Sequence, residues 1–128
     1  MRLLLDTHAL LWWTVDDPRL SSRARDAVQD VRNEVYVSAA TVWEISIKAA
    51  LGRLELPADH DSLWIAELRS NGFRPLPVGI AHAVGVRDLP LHHRDPFDRL
   101  LVVQALFEGL TLVSDDQALQ AYAVPLLW

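Results

Sequence analysis

The chain has 128 residues, of which 51% are hydrophobic and 23% charged, and this composition excludes a disordered chain and fits a single globular domain. It contains no cysteine, so a disulfide framework and a thiolate metal site are both excluded. The net charge of −5 argues against a protein that coats nucleic acid in general, but not against an enzyme that acts on nucleic acid locally.

Targeting signals are missing from the sequence pattern. No apolar run reaches the roughly 18 residues of a membrane span, and the N-terminus lacks the layout of a signal peptide. We therefore expect one cytoplasmic domain over residues 1–128 that does not enter a membrane. Eleven of the twelve basic residues are arginine, which binds phosphate well, although a GC-rich genome explains the same bias.

The first half of the chain alternates predicted strands with predicted helices. Short apolar runs predict the strands, while Ser, Asp and Gly near their ends predict helix caps and stops. In chain order the predicted elements are a strand at Arg2–Asp6, a helix at Thr7–Thr14, a helix from Ser21 or Ser22 to about Arg32, a strand at Glu34–Ser38 and a helix from Ala39 to Leu51.

The second half continues this alternation. Its clearest helix runs from the N-cap Asp95 to Glu108, with Pro96 at the first position and Gly109 just past the end. The other predicted elements are a helix at Asp59–Ser70, a short or edge strand at Phe73–Val78, a helix at Gly79–Arg87, a strand at Leu110–Ser114, a short helix at Gln117–Tyr122 and an edge strand at Pro125–Trp128. The alternation indicates an α/β fold whose mostly parallel sheet is covered by helices on both faces and binds ligands beyond the carboxyl ends of its strands.

Four acidic residues lie at the ends of apolar elements or inside them. Asp6 closes the first strand, and Asp116 follows the strand that ends near residue 114. Glu44 lies within an apolar helix, and Asp98 lies in the first turn of the clearest helix. Clustered carboxylates repel one another and resist burial, and a divalent cation relieves both costs. The pattern therefore predicts a Mg²⁺ or Mn²⁺ site and phosphoryl-transfer chemistry.

Each acid also has an explanation that requires no catalysis. Asp6 is able to cap the helix that follows it, Asp98 suits the helix dipole, and Asp116 belongs to a capping-box pattern. Glu44 has Lys48 four residues later as an ion-pair partner. Its apolar neighbours nevertheless indicate a buried helix, where a glutamate without a purpose is uncommon.

The histidines and tryptophans are expected to have mainly structural roles. His92 and His93 are expected in an exposed loop, and the histidines are too poorly placed along the sequence for a zinc site. His8 is a candidate for substrate contact. Tryptophans at helical spacing predict core or interface packing, with RNA stacking as an alternative for one of them. Four tryptophans together have more aromatic surface than the core of a small domain can bury, and this predicts self-association. They are Trp12, Trp13, Trp43 and Trp64.

Four segments resemble the motifs of a known family. Leu4–Trp12 resembles the opening motif of PIN-domain ribonucleases and, more narrowly, of the VapC-type toxins of bacterial toxin–antitoxin pairs. Ser38–Ile45 resembles the second motif, His93–Arg99 the third and Leu112–Asp116 the fourth. The motifs occur in order over nearly the whole chain, which makes the resemblance specific.

The resemblance implies a compact α/β/α sandwich and a Mg²⁺- or Mn²⁺-dependent endoribonuclease. It also implies a homodimer and a small antitoxin whose tail blocks the active site. By motif position the acidic cluster consists of Asp6, Glu44, Asp98 and Asp116. Asp95 is an additional acid three residues before Asp98, and the register of the third motif is open between them.

A mechanism follows from these parts. The residues expected to bind the metal are Asp6, Asp98 and Asp116, with Glu44 nearby or acting through water. Metal-activated water would then attack a phosphodiester of RNA. The substrate-side candidates are Thr7, Arg94, Arg99 and Ser114, either arginine being suited to hold the neighbouring phosphate.

Two other classes fit parts of the pattern. One is a PIN-like domain that binds RNA or protein without cleavage, which the intact acids at all four positions disfavour. The other is an acid-cluster phosphatase or a receiver-like domain. His8 stands where the haloacid dehalogenase signature needs a second aspartate, and the late lysine of a receiver domain is missing.

Overall fold

A parallel β-sheet forms the centre of the protein. The computed structural model describes residues 1–56 and 60–128, and over those residues the sheet has five strands in the order β3-β2-β1-β4-β5. The strands are β1 (Arg2–Leu5), β2 (Glu34–Ser38), β3 (Arg74–Leu76), β4 (Thr111–Val113) and β5 (Leu126–Leu127). The chain builds outward from β1 to β3 and then returns to the other side of β1, so the strand order reverses between β1 and β4.

Helices follow the strands and cover both faces of the sheet. They are α1 (Thr7–Thr14), α2 (Ser22–Gln29), α3 (Ala39–Ala50), α4 (His60–Asn71), α5 (Ile80–Gly85) and α6 (Pro96–Glu108), with 3₁₀ turns at Val86–Asp88 and Gln117–Tyr122. The α/β/α architecture and the parallel sheet predicted from the sequence are confirmed. No helix in the described part of the chain is both long and apolar enough to cross a membrane.

The central strand divides the core into two layers. Leu3 and Leu5 point to one face and Leu4 to the other, because successive side chains of a strand alternate. The first face packs against α1, α2 and α3, and the second against α6. All three leucines are at most 1% exposed, so β1 is a rigid central support for the residue that follows it.

Some predicted boundaries differ from the observed ones, and one of them falls outside the described residues. The second helix ends at Gln29 rather than near Arg32, because Asp30 adopts extended backbone and its carboxylate pairs with Arg32 at 2.8 Å. The third strand is shorter than predicted and lies at an edge of the sheet, as its prolines require. Asp59, the predicted first residue of α4, lies outside the described residues.

A buried polar contact ties α3 to α6. The hydroxyl of Ser38 accepts a hydrogen bond from the backbone N–H of Ala40, which caps α3, and donates to Gln104 Oε1 at 2.6 Å. Gln104 is fully buried, and its amide donates to the carbonyl of Pro77. The two helices that carry Glu44 and Asp98 are therefore fixed relative to each other and to the end of β2.

Candidate metal centre

Acidic residues from four distant segments meet beyond the carboxyl ends of β1 and β4. They surround a small cleft of about 100 Å³. The cleft is lined by Asp6, Thr7, His8, Glu44, Lys48, Asp95, Asp98, Asp115 and Asp116. All four acids of the predicted cluster are among these residues, and the cleft lies at the reversal of strand order where α/β sheets bind ligands.

Asp6 and Glu44 are the two buried acids of the cleft. The Asp6 carboxylate accepts a hydrogen bond from the backbone N–H of Ala9 at 2.8 Å and so caps α1, while the N–H of Asp6 donates to the carbonyl of Val113. Burial raises the pKa of Asp6 to about 6, although hydrogen bonds from Ser114 and Ala9 oppose the rise. Capping and membership of the acidic cluster are thus compatible in one residue.

Glu44 lies 5% exposed on α3, as its apolar neighbours predicted. The hydroxyl of Thr7 donates to Oε1 at 2.6 Å, and the ammonium of Lys48 lies 2.6 Å from Oε2. The carboxylate is therefore held from two sides, by one residue of α1 and one of its own helix. Thr7, predicted to lie on the substrate side, orients Glu44 directly.

Asp95 and Asp98, at the start of α6, have different roles: Asp95 caps the helix and Asp98 lines the cleft. The Asp95 carboxylate accepts hydrogen bonds from the N–H groups of Phe97 and Asp98, which confirms it as the N-cap. Asp98 projects its carboxylate into the cleft. Burial, followed by the charge of Asp95, raises the pKa of Asp98 to about 7, and His93 opposes that rise.

His93 joins the cluster, contrary to the expectation of an exposed loop. His92 is exposed, but the His93 side chain is only 18% exposed. Its Nε2 lies 2.8 Å from Asp116 Oδ2 and 3.4 Å from Asp98 Oδ2. The expectation of an exposed loop is therefore wrong for His93, although it is right for His92. The local signal was its position two residues before the N-cap Asp95.

Ser114 and Asp116 complete the site after β4. The Ser114 hydroxyl is buried and accepts a hydrogen bond from the N–H of Asp116 at 3.1 Å. Asp116 in turn accepts from the N–H of Ala118 and caps the 3₁₀ turn that follows. Ser114 therefore shapes the turn that presents Asp116, and its proposed contact with substrate stays a prediction.

The two candidate arginines occupy different surroundings. Arg99 donates hydrogen bonds to the carbonyls of Val86, Leu89 and Pro90 and to the hydroxyl of Tyr122. Its guanidinium is occupied by these acceptors, so its phosphate contact stays a prediction without a supporting geometry. Arg94 is exposed within the third motif, and it is the better candidate of the two for a phosphate contact.

The donor set fits a hard divalent cation. Carboxylate oxygens of Asp6, Asp98 and Asp116 face one small cleft, with Glu44 at its wall. Burial is the largest cause of the raised pKa values of Asp6 and Asp98, so their charged carboxylates lie in the cleft with little water and need positive charge to balance them. A divalent cation would supply that charge, and its ligands are the kind that Mg²⁺ and Mn²⁺ prefer.

Comparison with known proteins identifies the family. The PIN domain model matches residues 3–125, and the chain belongs to the PIN-domain family. It is 30% identical over 126 residues to the protein named Ribonuclease VapC22 from Mycobacterium tuberculosis, an alignment that covers 96% of this chain and 93% of that protein. Ribonuclease VapC16 of the same organism is 44% identical over 69 residues, or 51% of this chain and 49% of the relative.

Solved structures show the same fold. A VapBC complex of Salmonella typhimurium bound to DNA matches with a TM-score of 0.72 at 15% identity, covering 99% of this chain and 97% of that one. VapBC2 of Rickettsia felis, bound to a promoter DNA fragment, matches with a TM-score of 0.71 at 12% identity, covering 99% and 98%.

The raised pKa of Asp98 predicts a pH dependence of stability in metal-free protein. An acid whose pKa rises from 3.8 to about 7 on folding stabilises the fold below pH 4, and this stabilisation is lost as the pH rises through 7. Asp98→Asn should therefore melt higher than wild type at pH 8, by on the order of 4 °C for each kcal/mol relieved. The difference should shrink towards pH 4.

Thermal unfolding in EDTA, followed by circular dichroism at both pH values, measures this difference. Asp88→Asn is the matched control, because Asp88 is exposed and forms an exposed ion pair with its neighbour Arg87. If wild type melts at a higher temperature than Asp98→Asn at pH 8, the raised pKa of Asp98 in the folded protein is contradicted.

Proposed function

We propose that the protein is a Mg²⁺- or Mn²⁺-dependent endoribonuclease and the toxin of a toxin–antitoxin pair. The observation that carries this proposal is the convergence of Asp6, Glu44, Asp98 and Asp116 on one cleft of a PIN domain. The relatives named as VapC ribonucleases support the same activity. Cleavage is favoured over simple binding because the carboxylates form a cluster that a non-catalytic domain has no reason to maintain.

The residues divide the work of hydrolysis among them. Asp6, Asp98 and Asp116 would hold the cation. The cation would lower the pKa of a bound water and neutralise charge on the phosphoryl oxygens. Glu44 is fixed by Thr7 and Lys48 at the wall of the cleft, where its carboxylate can orient the attacking water and accept its proton. Arg94 is the candidate for holding the adjacent phosphate, because it is exposed and directly precedes Asp95, which lines the cleft.

A second, larger cleft supports the proposed antitoxin. It has a volume of about 490 Å³, runs along α1 and shares His8 and Lys48 with the acidic cleft. Apolar side chains, including Leu11 and Trp12, line it together with charged residues. A peptide segment lying there would reach the acids, which is how a bound antitoxin would block RNA.

A homodimer is also part of the proposal. Trp43 on α3 is 61% exposed and packs edge-to-face on Phe97 at the start of α6. Ile47 and Leu51, four and eight residues after Trp43, are also exposed, and a contiguous exposed apolar patch commonly marks an interface. Light scattering that gives a monomer mass at micromolar concentration would remove this part of the proposal.

Cleavage by the purified protein is the direct test. Wild type should cut RNA with Mg²⁺ or Mn²⁺ and stop with EDTA. Asp98→Asn should lower the rate by at least on the order of 100-fold, since it removes a metal ligand. Asp95→Asn should retain most activity, because asparagine caps a helix nearly as well as aspartate.

The pair of variants also decides the register of the third motif. If Asp95→Asn loses cleavage and Asp98→Asn retains it, the metal is held one turn earlier on α6 than we propose. Cleavage that persists in EDTA would refute the metal mechanism. A panel of RNAs is needed, because a toxin of narrow specificity leaves most sequences intact.

Expression in a bacterial host tests the toxin assignment. Wild type should arrest growth, and Asp6→Asn should not, because the buried acid at the end of β1 is lost while the polar cap is kept. Co-expression of the small protein encoded next to the gene should restore growth. Equal growth with wild type and with Asp6→Asn would contradict a nuclease toxin.

A further inference from the structure

His93 is the side chain that links the two acids donated by separate elements, α6 and the segment after β4. We propose that His93 is a positioning residue of the metal centre, whose Nε2–H holds the carboxylates of Asp98 and Asp116 at the separation that one cation requires. This inference rests on the metal dependence proposed above. It assigns His93 no direct contact with RNA.

The backbone next to His93 determines which ring nitrogen carries the proton. The N–H of Asp95 donates to His93 Nδ1 at 3.1 Å, so Nδ1 is an acceptor and the proton of the neutral ring lies on Nε2. Nε2–H then donates to Asp116 Oδ2 at 2.8 Å, with Asp98 Oδ2 at 3.4 Å. The N-cap of α6 thus orients the imidazole as well as the helix.

The loop that carries His93 is held in place by Tyr122. The Tyr122 hydroxyl accepts hydrogen bonds from the backbone N–H groups of His92, at 3.0 Å, and His93, at 2.7 Å. Its ring is buried in the core, at 7% exposure, and packs on the ring of His92. A core side chain therefore fixes the backbone position from which the His93 imidazole projects.

Arg99 anchors the same loop from α6. Its guanidinium lies 3.1 Å from the Tyr122 hydroxyl and donates to the carbonyls of Leu89 and Pro90, at 3.1 and 2.8 Å. Because its N–H groups donate to loop carbonyls, Arg99 holds the segment between α5 and α6 in place. Arg99 and Tyr122 thus act on the metal centre through His93.

This arrangement leaves the acids able to bind a cation. Each carboxylate oxygen has more than one lone pair, so Asp116 Oδ2 can accept from His93 and still face the cleft. Hydrogen-bonded partners that orient metal ligands typically contribute 10- to 100-fold to metal affinity. The same factor is the effect expected here.

Mn²⁺ titration calorimetry on the full chain measures that effect without any assay of cleavage. His93→Ala should weaken Mn²⁺ binding by about 10- to 100-fold. His93→Gln should recover part of the loss, because its amide N–H reaches a position similar to Nε2–H. Equal affinity in wild type and His93→Ala would overturn the proposal.

Tyr122→Phe tests the path to His93 while leaving the acids and the imidazole in place. It removes only the hydroxyl, so Mn²⁺ affinity should fall in the same direction as for His93→Ala but by less. Tyr36→Phe is the matched control, because the Tyr36 hydroxyl donates to Glu34 on its own strand, β2. Equal Mn²⁺ affinities in the two tyrosine variants would contradict the role of the Tyr122 hydroxyl in positioning His93.

Pulsed electron paramagnetic resonance of bound Mn²⁺ separates positioning from ligation. A positioning role predicts no strong ¹⁴N coupling from a directly bound imidazole. Strong ¹⁴N coupling that disappears in His93→Gln would make His93 a metal ligand and overturn the proposal. Failure of wild type to bind any Mn²⁺ would refute the metal dependence itself, which is a different result from equal binding by wild type and variant.

Discussion

The cost of burying several carboxylates in one cleft is the constraint on which the rest of this structure depends. Burial is the largest cause of the rise in the pKa of Asp6 to about 6, and burial followed by the charge of Asp95 raises the pKa of Asp98 to about 7. A fold that brings such groups together needs compensating interactions. The protein supplies them as backbone N–H groups at the start of helices and turns, which bind Asp6, Asp95 and Asp116.

The parallel sheet is what makes this compensation available. In a parallel sheet every strand ends at the same edge, and the helices that follow begin there with unpaired N–H groups. β1 and β4 deliver Asp6 and Asp116 at the reversal of strand order, and α6 begins beside them. The tie between Ser38 and Gln104 keeps α3 in place, so that Glu44 faces the same cleft.

Much of this arrangement could be predicted from the sequence, because it follows local rules. The alternation of elements, the N-cap Asp95 and the burial of Glu44 are each readable within a few residues of chain. The end of α2 was misplaced because the pairing of Asp30 with Arg32 favours a turn where composition still allows a helix. The four acids and their common metal site were predicted from their positions at the ends of elements, but the strand order that places β4 beside β1 required the structure.

The contacts of His93 and Arg99 join residues that are distant in the sequence. His93 contacts Asp116 across 23 residues of chain, and Arg99 contacts Tyr122 across the same separation. An arginine beside an acidic motif looks like a phosphate binder until its acceptors are known, and a histidine in a short loop looks exposed until its neighbours are known. Both assignments therefore required the tertiary structure.

The central claim is that carboxylates from separate segments share one cation. A crystal structure of the protein grown with Mn²⁺, with an anomalous map collected near the manganese edge, tests it most directly. We expect a peak in the acidic cleft with oxygens of Asp6, Asp98 and Asp116 at about 2.1 Å, the distance for a small hard cation. A map with no peak in this cleft at saturating Mn²⁺, or a peak held by Asp95 in place of Asp98, would contradict the account.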